Sequence, residues 1–114
     1  MVEGQIQGGV AQGVGGAYYE RLVYDAEGQL RNASFMEFLM PYATEIPAIE
    51  IDHIETPSPL NPLGVKGLGE GGVMAPPPAL AAAVEDALRP LGVRIDSTPL
   101  SAPRVRRLIE EARG

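Results

Sequence analysis

A helical stripe at the N-terminus is crossed by six glycines, and that conflict limits what this chain can fold into more than any other feature. Apolar residues recur at every fourth position, Val2, Ile6, Val10, Val14 and Tyr18, with Ala11, Ala17 and Leu22 beside them. Such spacing keeps one face of a helix apolar. The same window holds Gly4, Gly8, Gly9, Gly13, Gly15 and Gly16. Each interior glycine costs a helix about 1 kcal/mol relative to alanine, so this helix needs another group packed closely on its bare backbone. That group can be a second helix, the face of a sheet or a cofactor. Gln5, Gln7 and Gln12 place amide donors and acceptors on the flanks.

Further along, Ala26-Glu27-Gly28 separates two alternating segments, Arg21 to Asp25 and Gln29 to Phe35, which predicts a β-hairpin. Met36 to Ala48, with Pro41 and Pro47, reads as irregular. Ala48 to Glu55 alternates apolar and polar strictly, predicting a half-buried strand with Ile49, Ile51 and His53 on one face. Thr56 to Gly72 holds three prolines and five glycines and predicts a long shaped loop. Loops of that length inside a domain are uncommon and are usually functional or disordered. Pro76 to Arg89 predicts a helix with proline in its first turn and Gly92 just past its end. A short strand at Val93 to Ile95 and a second helix at Arg104 to Arg113 follow. The expected fold class is α+β, one unit over residues 1–114, with strands too few and too scattered to close a sheet. The domain reads as incomplete.

Several function classes are excluded by charge and composition. Nine basic residues against fifteen acidic ones give a net charge of −6, the wrong sign for a nucleic-acid surface or an anionic membrane. The absence of cysteine removes disulfides, thiolate metal sites and cysteine nucleophiles. No apolar run reaches the length of a membrane span and no signal sequence opens the chain, so cytoplasmic location is the default expectation.

Among residues that could carry chemistry, Glu70 stands out, set in Lys66-Gly-Leu-Gly-Glu-Gly-Gly72 ahead of the Pro76 helix. Small neighbours let a ligand approach the backbone, and a helix start nearby favours an ionised carboxylate that can act as a general base. The plainer alternative is an acidic residue complementing a helix dipole. His53 is the only histidine; without three or four converging donors it reads as a surface residue, and no metal ligand set is expected from side chains. The glycine-rich N-terminus lacks both Gly-Lys-Ser/Thr and a preceding strand, so it is neither a P-loop nor a dinucleotide fingerprint. No Gly-x-Ser-x-Gly elbow surrounds any serine.

Taken together, Val2-Glu-Gly-Gln-Ile-Gln-Gly-Gly-Val-Ala-Gln-Gly-Val-Gly-Gly-Ala17 with Tyr19-Glu20, then Gly64-Val-Lys-Gly-Leu-Gly-Glu-Gly-Gly72 and Ala75 to Leu88, strongly resemble one family. The chain is similar to the C-terminal end of the molybdenum-binding large subunit of the xanthine dehydrogenase and aldehyde oxidase family, nearest the aerobic carbon monoxide dehydrogenase-like branch. The resemblance implies a molybdopterin cytosine dinucleotide cofactor. It further implies that Glu70 is the catalytic base for hydroxylation of an electron-poor carbon. Gln5, Gly8 and Gly69 fall where the family's cofactor-contacting residues lie. By the same resemblance the partners are the remaining molybdenum-subunit segment and the FAD and iron-sulfur subunits. Family large subunits are many times longer and supply most of the pocket upstream of Val2. The chain is therefore expected to start within a domain, to be inactive alone and to self-associate or bind a partner. A non-catalytic remnant or interaction domain that binds no cofactor is the alternative.

Overall fold

The computed structural model describes all 114 residues. Helix α1 spans Val2–Tyr18, α2 spans Pro76–Leu88 and α3 spans Ala102–Arg113, with single 3-10 turns at Ala43–Glu45 and Arg89–Leu91. The glycines of α1 decide where it packs. A β-carbon at Gly9 would fall 2.8 Å from the Gly72 α-carbon, and one at Gly13 would fall 2.7 Å from Pro76 Cβ. These two positions, four apart on one helix face, let α2 and the loop before it lie directly on the α1 backbone. Gly4, Gly8 and Gly16 meet nothing within 4 Å. Two of the six glycines therefore carry α2 and its loop, Gly15 lies against Glu20 and Pro41, and the other three leave α1 bare.

Helix α2 begins with three prolines, which the first turn tolerates because its N–H groups have no helical acceptor. It runs into the Arg89–Leu91 turn, and Gly92 at φ +75° turns the chain back. The returning segment is clamped by one side chain. Glu85 accepts a hydrogen bond from the Ile95 N–H at 2.7 Å and from the Arg94 guanidinium at 2.9 Å. Those two donors, the Ile95 amide foremost, hold the Glu85 carboxyl below its ordinary value of 4.5. A carboxyl lowered by folding stabilises the fold at pH values above its ordinary value, and this stabilisation is lost as pH falls through the lower folded value. Glu85→Gln is thus expected to weaken the fold at neutral pH and to flatten its acid dependence below about pH 4.5. Urea titrations of both forms at stepped pH check this; parallel pH profiles would contradict it.

The core is small. Only Ala17, Val93 and Leu100 are buried apolar residues, and the Leu100 N–H donates to the Ala17 carbonyl at 2.6 Å, tying the approach to α3 onto the end of α1. The surface area is 8839 Å², where a compact protein of 12.1 kDa exposes about 6,000 Å². The radius of gyration is 17.9 Å against about 13 Å for a compact domain of this length.

The expected α+β class is overturned: the chain forms three helices and no sheet. At the expected hairpin, the turn is present and the strands are not. Asp25 and Gln29 close the turn, but pairing is reduced to one antiparallel bridge between Tyr24 and Leu30. The reason lies at Asn32, whose side chain accepts from the Val23 N–H at 2.9 Å and donates to the Arg21 carbonyl. An amide side chain thus occupies positions that a further ladder rung would take. The expected strand at Ala48 to Glu55 also fails. Its backbone forms no backbone–backbone hydrogen bond, although Ile49 and Ile51 are half-buried as the alternation implied, while His53 is exposed. Val93 to Ile95 is likewise no strand, since the Ile95 N–H is taken by Glu85.

Candidate functional site

The loop from Thr56 to Gly72 is shaped by its own polar groups. Asn61 both donates to the Val65 carbonyl and accepts from the Val65 N–H, each at 3.0 Å. Gly64 takes φ +65°, with Pro57 where its side chain would be. Lys66 donates to the Thr56 hydroxyl. Beyond this frame, Leu68 to Val73 makes two successive turns, with the Gly71 N–H on the Leu68 carbonyl at 3.1 Å and the Val73 N–H on the Glu70 carbonyl at 3.2 Å.

Two attachments to α1 bracket Glu70. On one side the Gln5 side-chain amide donates to the Gly69 carbonyl at 2.7 Å. On the other, Gly72 is buried against α1, where a β-carbon would fall 2.5 Å from the Ile6 carbonyl oxygen. Glu70 itself is exposed, and none of the chain's ion pairs engages it. The N–H groups of Gly67, Leu68, Gly69 and Glu70 form no backbone–backbone hydrogen bond. Space is open at Gly4, Gly8, Gly67 and Gly69. A carboxylate with no partner in the chain thus sits on an exposed turn fastened to α1 on both sides, beside a run of amides free to donate. This arrangement fits a large polar cofactor with many oxygen acceptors lying close along α1.

Of the residues expected from sequence, Gln5, Gly69 and Glu70 come together, with Gly8 on the same N-terminal half of α1. One physical expectation changes. Because residues 76–78 are all proline, the first turn of α2 has no N–H to offer, so this helix start does little for a nearby carboxylate. Sequence reasoning also missed Gly72, whose signal was the Gly71-Gly72 doublet after the acidic residue. A concavity of about 650 Å³ lies elsewhere, between Tyr18, Tyr19, Leu100 and α3. No cluster of three or more potential metal-binding side chains is present, and no helix is long and apolar enough to cross a membrane.

Residues 1–47 match the model of the molybdopterin cofactor-binding domain. The nicotine 6-hydroxylase large subunit of Paenarthrobacter nicotinovorans is 45% identical over 105 residues, covering 92% of this chain and 13% of that protein. The chain belongs to the xanthine dehydrogenase and aldehyde oxidase family. Within that family it matches the C-terminal part of the molybdenum-binding large subunit. The carbon monoxide dehydrogenase large chain of Hydrogenophaga pseudoflava is 37% identical over 111 residues, 97% of this chain and 14% of that one. In the crystal structure of quinoline 2-oxidoreductase from Pseudomonas putida 86, a segment 46% identical superposes with a TM-score of 0.92 over 96% of this chain and 14% of that chain. The chain thus spans about one-seventh of the length of these relatives, several of which are named as subunits of larger enzymes.

Proposed function

We propose that this chain contributes the catalytic base and part of the cofactor-binding surface of a molybdenum hydroxylase. In this reading residues 1–114 form one C-terminal cofactor-binding subdomain, with Glu70 as the base. Gln5, Gly8 and Gly69 lie against molybdopterin cytosine dinucleotide. The observation that carries it is the uncommitted carboxylate of Glu70, fastened to the glycine helix on both sides, at Gly69 and at Gly72.

When bound, the molybdenum cofactor supplies the oxygen-transfer and two-electron chemistry of the hydroxylation. Overall, a C–H bond becomes C–OH with water as the oxygen source, releasing two electrons and two protons. Glu70 takes up one of those protons at a carboxylate oxygen. Its freedom from any internal ion pair leaves both oxygens available as acceptors. Gln5 sets the height of the loop through Gly69, and Gly8 leaves the helix backbone open to the cofactor. The electrons pass to partner subunits carrying iron-sulfur centres and FAD, and the assembly is cytoplasmic. The test is Glu70→Gln in the assembled enzyme, reading turnover together with molybdenum content.

A second reading is favoured by the small core and by the lack of walls around Glu70: a non-catalytic interaction domain that has kept the fold and binds no cofactor. Molybdenum and pterin content of the parental assembly separates the two, and where cofactor is present Gly8→Val is expected to lower it at least about tenfold, because a side chain enters the open strip at Gly8. Unchanged molybdenum and pterin content in that variant would exclude Gly8 from the cofactor surface.

A further inference from the structure

We propose that the apolar arm spanning residues 22–40 is the surface on which this chain docks to the large-subunit sequence lying outside these 114 residues. The inference names the partner surface of the reading above and does not depend on the role given to Glu70. Phe35 and Met36 are 82% and 91% exposed, and Leu22, Leu39 and Met40 are exposed beside them. Leu22, Leu30, Ala33, Phe35 and Phe38 line one concavity of about 360 Å³. Contiguous apolar exposure of this kind marks an interaction surface.

This surface is preformed. Asn32 clasps Arg21 and Val23, Asp25 accepts from the N–H groups of Glu27 and Gln29, and a turn from Ser34 places its carbonyl on the N–H groups of Glu37 and Phe38. The arm is seated at the far end of α1 from Glu70: Pro41 lies against Gly15, and the Tyr19 hydroxyl donates to Glu45 at 3.3 Å.

Area and chain length select the occupant. The chain exposes about 2,800 Å² more than a compact protein of its mass, whereas a standard interface covers only about 800 Å² on each partner. A second copy docked at ordinary size would leave most of that excess exposed. The same backbone is found in quinoline 2-oxidoreductase with a TM-score of 0.92, inside a chain of which it makes up only 14%. The extended shape is therefore one that persists with a much larger body of the same polypeptide around it. That body is the occupant assigned here.

The experiment uses the 114-residue chain and, as probe, the Hydrogenophaga pseudoflava carbon monoxide dehydrogenase large chain lacking its matching segment, co-expressed and titrated. Binding is expected, with hydrogen exchange in residues 22–40 slowed on complex formation. Phe35→Asp with Met36→Asp is expected to weaken it at least about 100-fold, because two charges enter an apolar interface. Both residues are exposed in the free chain, so its circular dichroism stays unchanged. Glu70→Gln should bind like the parent, which separates docking from catalysis. Undiminished binding by the double variant, or a folded probe that does not bind, overturns the proposal. So does a concentration-dependent dimer of the chain alone that protects residues 22–40.

Discussion

Exchanging Glu70 for glutamine in the assembled enzyme is expected to lower kcat by about 10²- to 10⁴-fold, the usual contribution of a positioned general base. Molybdenum content and subunit assembly should stay at parental levels. Glutamine keeps the length and shape of glutamate, and its amide oxygen has almost no affinity for a proton. Glu70 also makes no ion pair within the chain and is exposed on its turn, so the exchange breaks no internal contact. A loss of activity accompanied by loss of molybdenum would point to cofactor retention instead of proton transfer. Turnover within about threefold of the parent would remove Glu70 from the base role.

Gly72→Ala is expected to have the largest effect on stability, about 2–3 kcal/mol, in the range for forcing extra atoms into a filled contact. A β-carbon there would sit 2.5 Å from the Ile6 carbonyl oxygen and 3.1 Å from the Ile6 α-carbon. Both are helix backbone, which cannot swing aside as a long side chain can. Gly9→Ala meets the reciprocal obstacle, the Gly72 backbone at 2.8 Å. Gly4→Ala and Gly8→Ala face open space and should instead stabilise α1 by about 0.5–1 kcal/mol each. Urea midpoints of the four single variants check the opposite signs. Equal effects in all four would mean that α1 and the Glu70 loop are not fastened as described.

The helices were legible because their signals are local. The four-residue stripe, the prolines opening α2 and Gly92 ending the 3-10 turn that follows it each act within one or two turns. The strands were not legible, because alternation tells which side chains face the body and says nothing about whether a neighbour supplies the ladder. Ile49 and Ile51 turned inward as the pattern required, yet no backbone pairs with them. At the hairpin, the Asp25 to Gly28 turn was readable, whereas the clasp by Asn32 depends on a side chain reaching back across nine residues to Val23. The glycines were ambiguous for a similar reason. Spacing showed that something must approach α1, and only the fold separates Gly9 and Gly13, which carry α2 and its loop, from Gly4 and Gly8, which stay open. Glu70 stood out by its glycine setting as a candidate base beside a plainer alternative, and only the motif resemblance favoured the catalytic reading. The missing amide donors of α2 could have been read from Pro76, Pro77 and Pro78 directly.

In the proposed function, the open strip along α1 and the loop of Glu70 form one wall of a molybdenum cofactor site. Elemental and pterin analysis of the chain, purified from its own host with every co-purifying protein identified, tests this most directly. About one molybdenum and one pterin per chain, in a complex with large-subunit sequence, is the expected result. Large-subunit sequence bound at equal stoichiometry with neither molybdenum nor pterin would contradict it.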